Sequence, residues 1–201
     1  MKRGTALNRI TSVSDPEQRH GHKTASKRFT SHKVAVVVDR ESQLILDCLV
    51  LPGNAGDAQG VLEAIERVEE TTGQAVEQAV GDGAYGSGAT RQALSCACAR
   101  LQEAGRELVV RAPRESRPGG HFPKSALTLD LEGGAVTCLA GQTKPTYVQE
   151  RDGGRLYQFG AARTDCPLGN QCTTSAVGRQ VRVHPQEALL QAARAYQQTP
   201  E

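Results

Sequence analysis

Apolar positions are most regular between residues 32 and 112, where their spacing switches from strand-like to helix-like and back. His32 to Asp39 reads HKVAVVVD, a β-branched run of strand length. A short turn through Arg40, Glu41 and Ser42 leads to Leu44 to Pro52, LILDCLVLP, a second strand. The pair predicts an antiparallel hairpin. GNAGD follows as a loop, with Asp57 placed to cap the next helix. Val61, Leu62, Ile65 and Val68 mark one helical face, and Gly73 stops that helix. Ala75 to Val80, AVEQAV, predicts a short third strand that runs into GDGAYGS. Ser87 opens a second helix with Leu94, Ala97, Cys98 and Leu101 on one face, ended by Gly105. Glu107 to Arg111, ELVVR, is a fourth strand. The order β-β-α-β-α-β predicts an α/β sheet with helices packed on its faces.

The flanks read differently. Residues 1–31 lack apolar periodicity and are rich in charge, Ser and Thr, so they predict a basic arm. Residues 113–201 are rich in Gly, Pro and turns, and they close with a helix in VRVHPQEALLQAARAYQQTP. There Pro185 suits the first turn, Leu189, Ala193 and Tyr196 share a face, and Pro200 blocks continuation. No internal repeat is visible.

Charge sharpens the picture of the amino-terminal arm. The first 33 residues hold eight Lys or Arg against Asp15 and Glu17, a local +6 that leaves −4 elsewhere in a chain of net charge +2. A basic arm on a near-neutral body suits a polyanion such as DNA. Arg19, His20, His22, Lys23, Lys27 and Arg28 are the candidate phosphate contacts. Hydrophobic residues are 38 % of the chain, aromatics 3 %, and Trp is absent, so the core must come from Val, Leu, Ile and Ala. No run approaches the roughly 18 apolar residues of a membrane span. Six Cys without a secretory signal predict a cytoplasmic protein with free or metal-bound thiols.

Candidate chemistry centres on Asp82. It sits where the third strand ends, the place at which ligands collect in open α/β sheets. Gly81 and Gly83 permit close backbone approach. Asp-Gly is also a turn dipeptide, so spacing alone leaves a plain turn open. Asp15 and Asp39 read as turn acceptors. Cys48 reads as a small buried strand residue. Cys96 and Cys98, two apart on a helix, cannot face the same way and read as structural. Cys138, Cys166 and Cys172 lie in turn-rich sequence, the setting in which four thiolates or imidazoles hold Zn²⁺. His121 and His184 are the imidazoles at hand for a fourth position.

One ordered set of segments goes further. SVSDPEQRHGHKTASKRFTSHKVAVVVD, LPGNAGD, VGDGAYGS, CLAGQT, CPLGNQC and VRVHPQEALLQAARAYQQTPE together resemble the DDE transposases of bacterial insertion sequences. The resemblance implies a ribonuclease H-like mixed sheet flanked by helices, and an Asp-Asp-Glu triad holding two Mg²⁺ or Mn²⁺ ions. It also implies DNA as substrate and partner, and self-association as a further property. Asp82 matches the second Asp of that triad. In the family the first Asp lies upstream of SDPEQRHGHK, and the final Glu lies beyond TPE. The resemblance therefore predicts an incomplete catalytic domain over residues 32–112, unable to cut or join DNA alone and poorly soluble through open sheet edges. The alternative is a DNA-binding remnant of a mobile element without catalysis. An unrelated metal-dependent hydrolase built on Asp82 ranks below both. The family's Cys-rich region resembles a zinc ribbon. Here its CxxC reads RTDC, with Arg163 at the first Cys position, so residues 113–201 predict a degenerate zinc-ribbon-like insertion before the last helix.

Overall fold

Alternation of apolar and polar side chains folds into a mixed α/β structure in the computed structural model, which describes residues 9–24, 26–96, 107–115, 118–160 and 166–198. Packing divides it into two compact units, Met1–Tyr85 with Ala93–Val109, and Gly86–Gln92 with Val110–Glu201.

The first unit is built on an antiparallel sheet of β1 (Arg19–His22), β2 (Arg28–Val38) and β3 (Ile45–Pro52), in the order β1-β2-β3. The predicted hairpin is β2-β3, with Val34 opposite Val50 and Val36 opposite Cys48. Two points correct the sequence reading. β2 begins at Arg28, and β1 lies inside the stretch predicted as an arm. Neither segment shows an apolar alternation, because backbone ladder bonds and close packing hold them in place of a buried face. The close packing is between glycines. A Cβ on Gly21 would lie 2.2 Å from the Gly53 carbonyl oxygen, and one on Gly53 would lie 2.3 Å from that of Ser31.

Helix α1 (Val61–Thr72) buries Ala64, Ile65 and Val68, close to the predicted face, and packs on β3. Gly73 ends it in the left-handed conformation, φ 69°, with its N–H donating to the Glu69 carbonyl. Asp57 does not cap α1. Gly60 takes that position, with φ 79° and no side-chain cap, while Asp57 accepts from Lys33 Nζ at 2.8 Å. The opposite face of β2-β3 is open. Cys48, expected buried, is exposed there, because its register partner Val36 points the same way. β4 (Gln78–Val80) and β5 (Glu107–Val109) form a parallel pair, Ala79 opposite Leu108. Among the described residues this pair shares no ladder with β1-β2-β3. Helix α2 (Gly88–Cys96) starts as predicted, with Ser87 Oγ accepting the Thr90 N–H at 3.1 Å. Leu94 on α2 is buried. Ala97, Cys98, Leu101, Gly105 and the Cys96 side chain lie outside the described residues.

The sequence predicts turns and a closing helix over residues 113–201, and the second unit, which includes them, holds more order than that. β6 (Thr128–Asp130), β7 (Ala135–Thr137) and β8 (Thr143–Lys144) form one antiparallel sheet. β9 (Val148–Gln149), β10 (Arg155–Gln158) and β11 (Gln180–Val183) form another. Leu127, Val136, Tyr157, Phe159, Val181 and Val183 make a single core, with Cys138 packed against it. The Tyr157 hydroxyl donates to the Gly134 carbonyl at 2.9 Å, which lets a phenol sit in that core. A short α3 (Gly169–Cys172) precedes β11, and α4 (Glu187–Tyr196) closes the unit. On α4 the inward residues are Glu187 and Leu190, while Tyr196 is 62 % exposed. The predicted Leu189-Ala193-Tyr196 face is thus rotated, because Lys124 and Arg194 make burial of Glu187 tolerable. Pro200 lies outside the described residues.

Candidate active site and nucleic-acid interface

The parallel pair of β4 and β5 delivers Asp82 to its carboxyl end. Gly81 N–H donates to the Val109 carbonyl at 3.3 Å, carrying the ladder one residue past β4. The chain then turns. Asp82 Oδ1 accepts the Ala84 N–H at 2.8 Å, and its carbonyl accepts the Tyr85 N–H at 3.2 Å. Asp82 therefore does organise an Asp-Gly turn. It also remains exposed, and its second carboxylate oxygen carries no hydrogen bond among the described residues.

A group of charges that the sequence did not suggest lies around Tyr85. Lys33 Nζ on β2 donates to Asp57 Oδ1 at 2.8 Å and to the Ala55 carbonyl at 2.7 Å. Burial pushes the Tyr85 phenol above its usual range, the Asp82 and Asp57 carboxylates push the same way, and Lys33 opposes them. Phenol, two carboxylates and an ammonium thus share one electrostatic neighbourhood. Lys33 and Asp57 stand far apart in sequence on different elements, and no periodicity links them. Asp15 and Asp39 serve turns, as read. Asp15 accepts the Gln18 N–H at 3.2 Å and meets His32 Nε2 at 2.9 Å, and the His32 hydrogen bond holds its carboxyl below the usual range. Asp39 Oδ2 accepts from the Ser42 hydroxyl at 2.6 Å and the Ser42 N–H at 2.7 Å, which lowers it likewise.

The six basic candidates cluster on the β1-β2 hairpin. His22 stands opposite Arg28, and the Lys23 N–H donates to the Lys27 carbonyl at 2.8 Å across the connecting turn. Arg19 folds back along its own turn, with Nη1 donating to the Pro16 carbonyl at 2.5 Å and the Gln18 carbonyl at 2.9 Å. His20 Nδ1 pairs with the Thr30 hydroxyl at 2.7 Å. His22, Lys23, Lys27 and Arg28 are exposed and make no side-chain hydrogen bond or ion pair among the described residues.

The family model of the transposase DDE domain matches residues 6–136, from the basic hairpin through Asp82 to β7. The chain belongs to that family. No curated protein and no solved structure matches it. The family acts on DNA in transposition and uses divalent metal ions. An exposed carboxylate with a free oxygen on a rigid strand end fits a hard divalent cation as one ligand. Asp82 in this DDE domain meets that description. No group of three or more His, Cys, Asp or Glu is placed to hold a metal ion among the described residues.

Among the described residues the cysteines form no such group either. Cys138, Cys166 and Cys172 are half-buried free thiols of the second unit. Burial pushes the Cys172 thiol up, Arg179 opposes that, and Cys138 and Cys166 add to it. The three are near enough to feel one another without converging as ligands. His184 Nδ1 is occupied as acceptor of the Gln186 N–H at 3.2 Å. His121 Nδ1 meets the Gln171 carbonyl at 3.1 Å, and its Nε2 is buried without a partner. Arg163 lies outside the described residues. No helix among the described residues of this transposase chain is long and apolar enough to cross a membrane.

Proposed function

We propose that Asp82 is a metal-binding carboxylate of a DDE strand-cleavage and strand-transfer site, acting for a bacterial insertion sequence in the cytoplasm. The observation that carries this reading is the placement of Asp82. A solvent-facing carboxylate follows directly on a parallel strand, one oxygen fixed by the Ala84 N–H and the other free. Phosphoryl transfer between DNA strands needs oxygen ligands for two cations, which supply the activated attacking oxygen and the stabilised leaving oxygen. Asp82 would hold part of that pair, on Mg²⁺ or Mn²⁺. The turn bonds to Ala84 and Tyr85 fix its direction before metal arrives.

Asp82 is the one residue of this sequence that we assign to the triad, at its second position. The ribonuclease H-like reading of the first unit therefore carries a second clause: these 201 residues alone neither cut nor join DNA. The exposed cations of the β1-β2 hairpin support a second reading, in which the chain binds DNA without acting on it. Its contacts are His22, Lys23, Lys27 and Arg28, together with Arg19 and His20. Such phosphate contacts make affinity fall steeply with salt.

Two measurements test this. Added Mn²⁺ should broaden the amide signals of Gly83 and Ala84 in the wild type and leave them sharp in Asp82→Asn. Equal broadening in both would remove Asp82 from the metal site. Incubation of the chain with element-end DNA and Mg²⁺ should give no strand transfer, and robust metal-dependent joining would overturn the second clause.

A further inference from the structure

The second unit contains a cavity of about 720 Å³ between the segment through Arg114 and Glu115, the chain around Lys124, and one side of α4. Its wall carries three cations, Arg114, Lys124 and Arg194, and two anions, Glu115 and Glu187. Both anions are already engaged. Glu187 accepts from Lys124 Nζ at 2.5 Å, from the His184 N–H at 3.1 Å and from Arg194 Nη1 at 3.3 Å. Glu115 accepts from the Ser125 hydroxyl at 2.6 Å and the Ser125 N–H at 3.1 Å, with Arg194 Nη1 at 3.9 Å. The donors are in surplus. Arg194 Nε is buried without a hydrogen-bond partner. Arg114 lines the same cavity, is exposed, and makes no hydrogen bond or ion pair among the described residues.

A buried guanidinium N–H without an acceptor costs free energy, and an unpaired second guanidinium on the same wall adds to the local positive field. Arg194 Nε itself is sealed from the cavity, whereas Arg194 Nη2 carries no hydrogen bond among the described residues and is not buried. Nη2 and the Arg114 guanidinium are therefore the donors that one kind of ligand can meet, an anion that presents several acceptor oxygens. Guanidinium groups match the tetrahedral oxygens of phosphate better than ammonium does. We infer that this cavity takes a phosphate group of the DNA backbone, held by Arg114 and Arg194, at a site separate from the β1-β2 hairpin. Glu115 and Glu187 orient Arg194 rather than compete for the ligand, since each already has its own donors. The inference rests on DNA as the substrate and is independent of the role given to Asp82 and to the hairpin.

The test uses the full 201-residue chain with a duplex oligonucleotide and, separately, with inorganic phosphate. The Arg194 Nε–H signal in a proton-nitrogen NMR spectrum should shift with duplex, and in the same sense with phosphate. Arg114→Ala should lower the slope of log affinity against log salt by about 0.9, the share of one phosphate contact. Arg151→Ala removes an exposed arginine of the β9-β10 turn, outside the cavity, and should leave the slope unchanged. Arg114→Ala leaves the Glu187 cluster intact, so a folding failure does not obscure the result. An equal loss in both variants, or a shift with phosphate and none with duplex, overturns the assignment. Lys23→Ala with Lys27→Ala reads the hairpin alone. Loss of slope there with none in Arg114→Ala overturns the cavity and spares the hairpin, and the reverse result does the opposite.

Discussion

Glu187 is 1 % exposed, and a carboxylate that deep persists only because its partners outweigh its desolvation. Burial pushes its carboxyl upward. Lys124, the His184 N–H and Arg194 together push it further the other way, so the net position is below the usual range. A depressed folded value fixes the sign of the pH dependence. The stability supplied by ionised Glu187 is fully present above the unfolded carboxyl value, about 4.3, and is lost as pH falls through the lower folded value. Glu187→Gln removes the charge and leaves Lys124 and Arg194 facing a neutral amide. It should cost about 3 kcal/mol at neutral pH. Below about pH 4 the loss of stability with acid should be shallower in the variant than in the wild type. Denaturant titrations across that range check both points, and parallel acid limbs would show that Glu187 contributes nothing to the slope.

Elements in the first unit are held together partly by what is missing from two glycines. Where the loop after β3 crosses β1 and β2, Gly53 leaves no room for a Cβ, with the Ser31 oxygen at 2.3 Å and the Arg19 oxygen at 2.6 Å. Gly53→Ala must move backbone and should destabilise by about 1–3 kcal/mol. Gly56, three residues on, has nothing within 4 Å of a built Cβ, so Gly56→Ala should change stability by under about 0.5 kcal/mol. Urea midpoints of the two variants make the comparison, and similar midpoints would mean the crossing relaxes freely. The LPGNAGD segment was legible as a loop, but its crowding was not, because nothing local marks the strands it crosses. β2, β3, α1, β4 and β5 were legible within a few residues, since their apolar period changes sharply at Gly, Pro and Asp boundaries. β1 was not, because Arg19, His20 and His22 carry no apolar alternation. The six strands of the second unit run two to four residues each, too short for a period to rise above the Gly and Pro around them. The position of Asp82 past a strand end was legible because GDG follows the AVEQAV run directly. Lys33 and Asp57 were not, because strand register and a loop bring them together.

The whole molecule presents two surfaces with opposite physics. The β1-β2 hairpin offers unpaired cations to solvent. The outer face of β2-β3 offers Val34, Val36, Val38, Ile45 and Val50, between 46 % and 68 % exposed, aligned across the ladder with Cys48. Alternation puts Val34, Val36 and Val38 on one side with Cys48 and Val50, the register shift between Val37 and Val38 brings Ile45 opposite Val38, and α1 packs on β3. A contiguous apolar strip of this kind promotes association. β3 and β4 add strand edges unpaired among the described residues. The chain should therefore self-associate with rising concentration. Salt separates the two surfaces: DNA binding through the hairpin weakens as salt rises, whereas association through the strip is held or strengthened. Val36→Thr with Val50→Thr keeps the β-branched shape and makes the strip more polar. It should shift sedimentation toward the monomer with little change in melting temperature, and leave the salt slope of DNA binding intact. If the wild type sediments as a monomer at high concentration and high salt, the strip is too weak to drive association, and the low solubility expected from open edges fails with it. If the double variant also loses DNA affinity, the two surfaces are one, and the hairpin cannot be treated as a separate binding element.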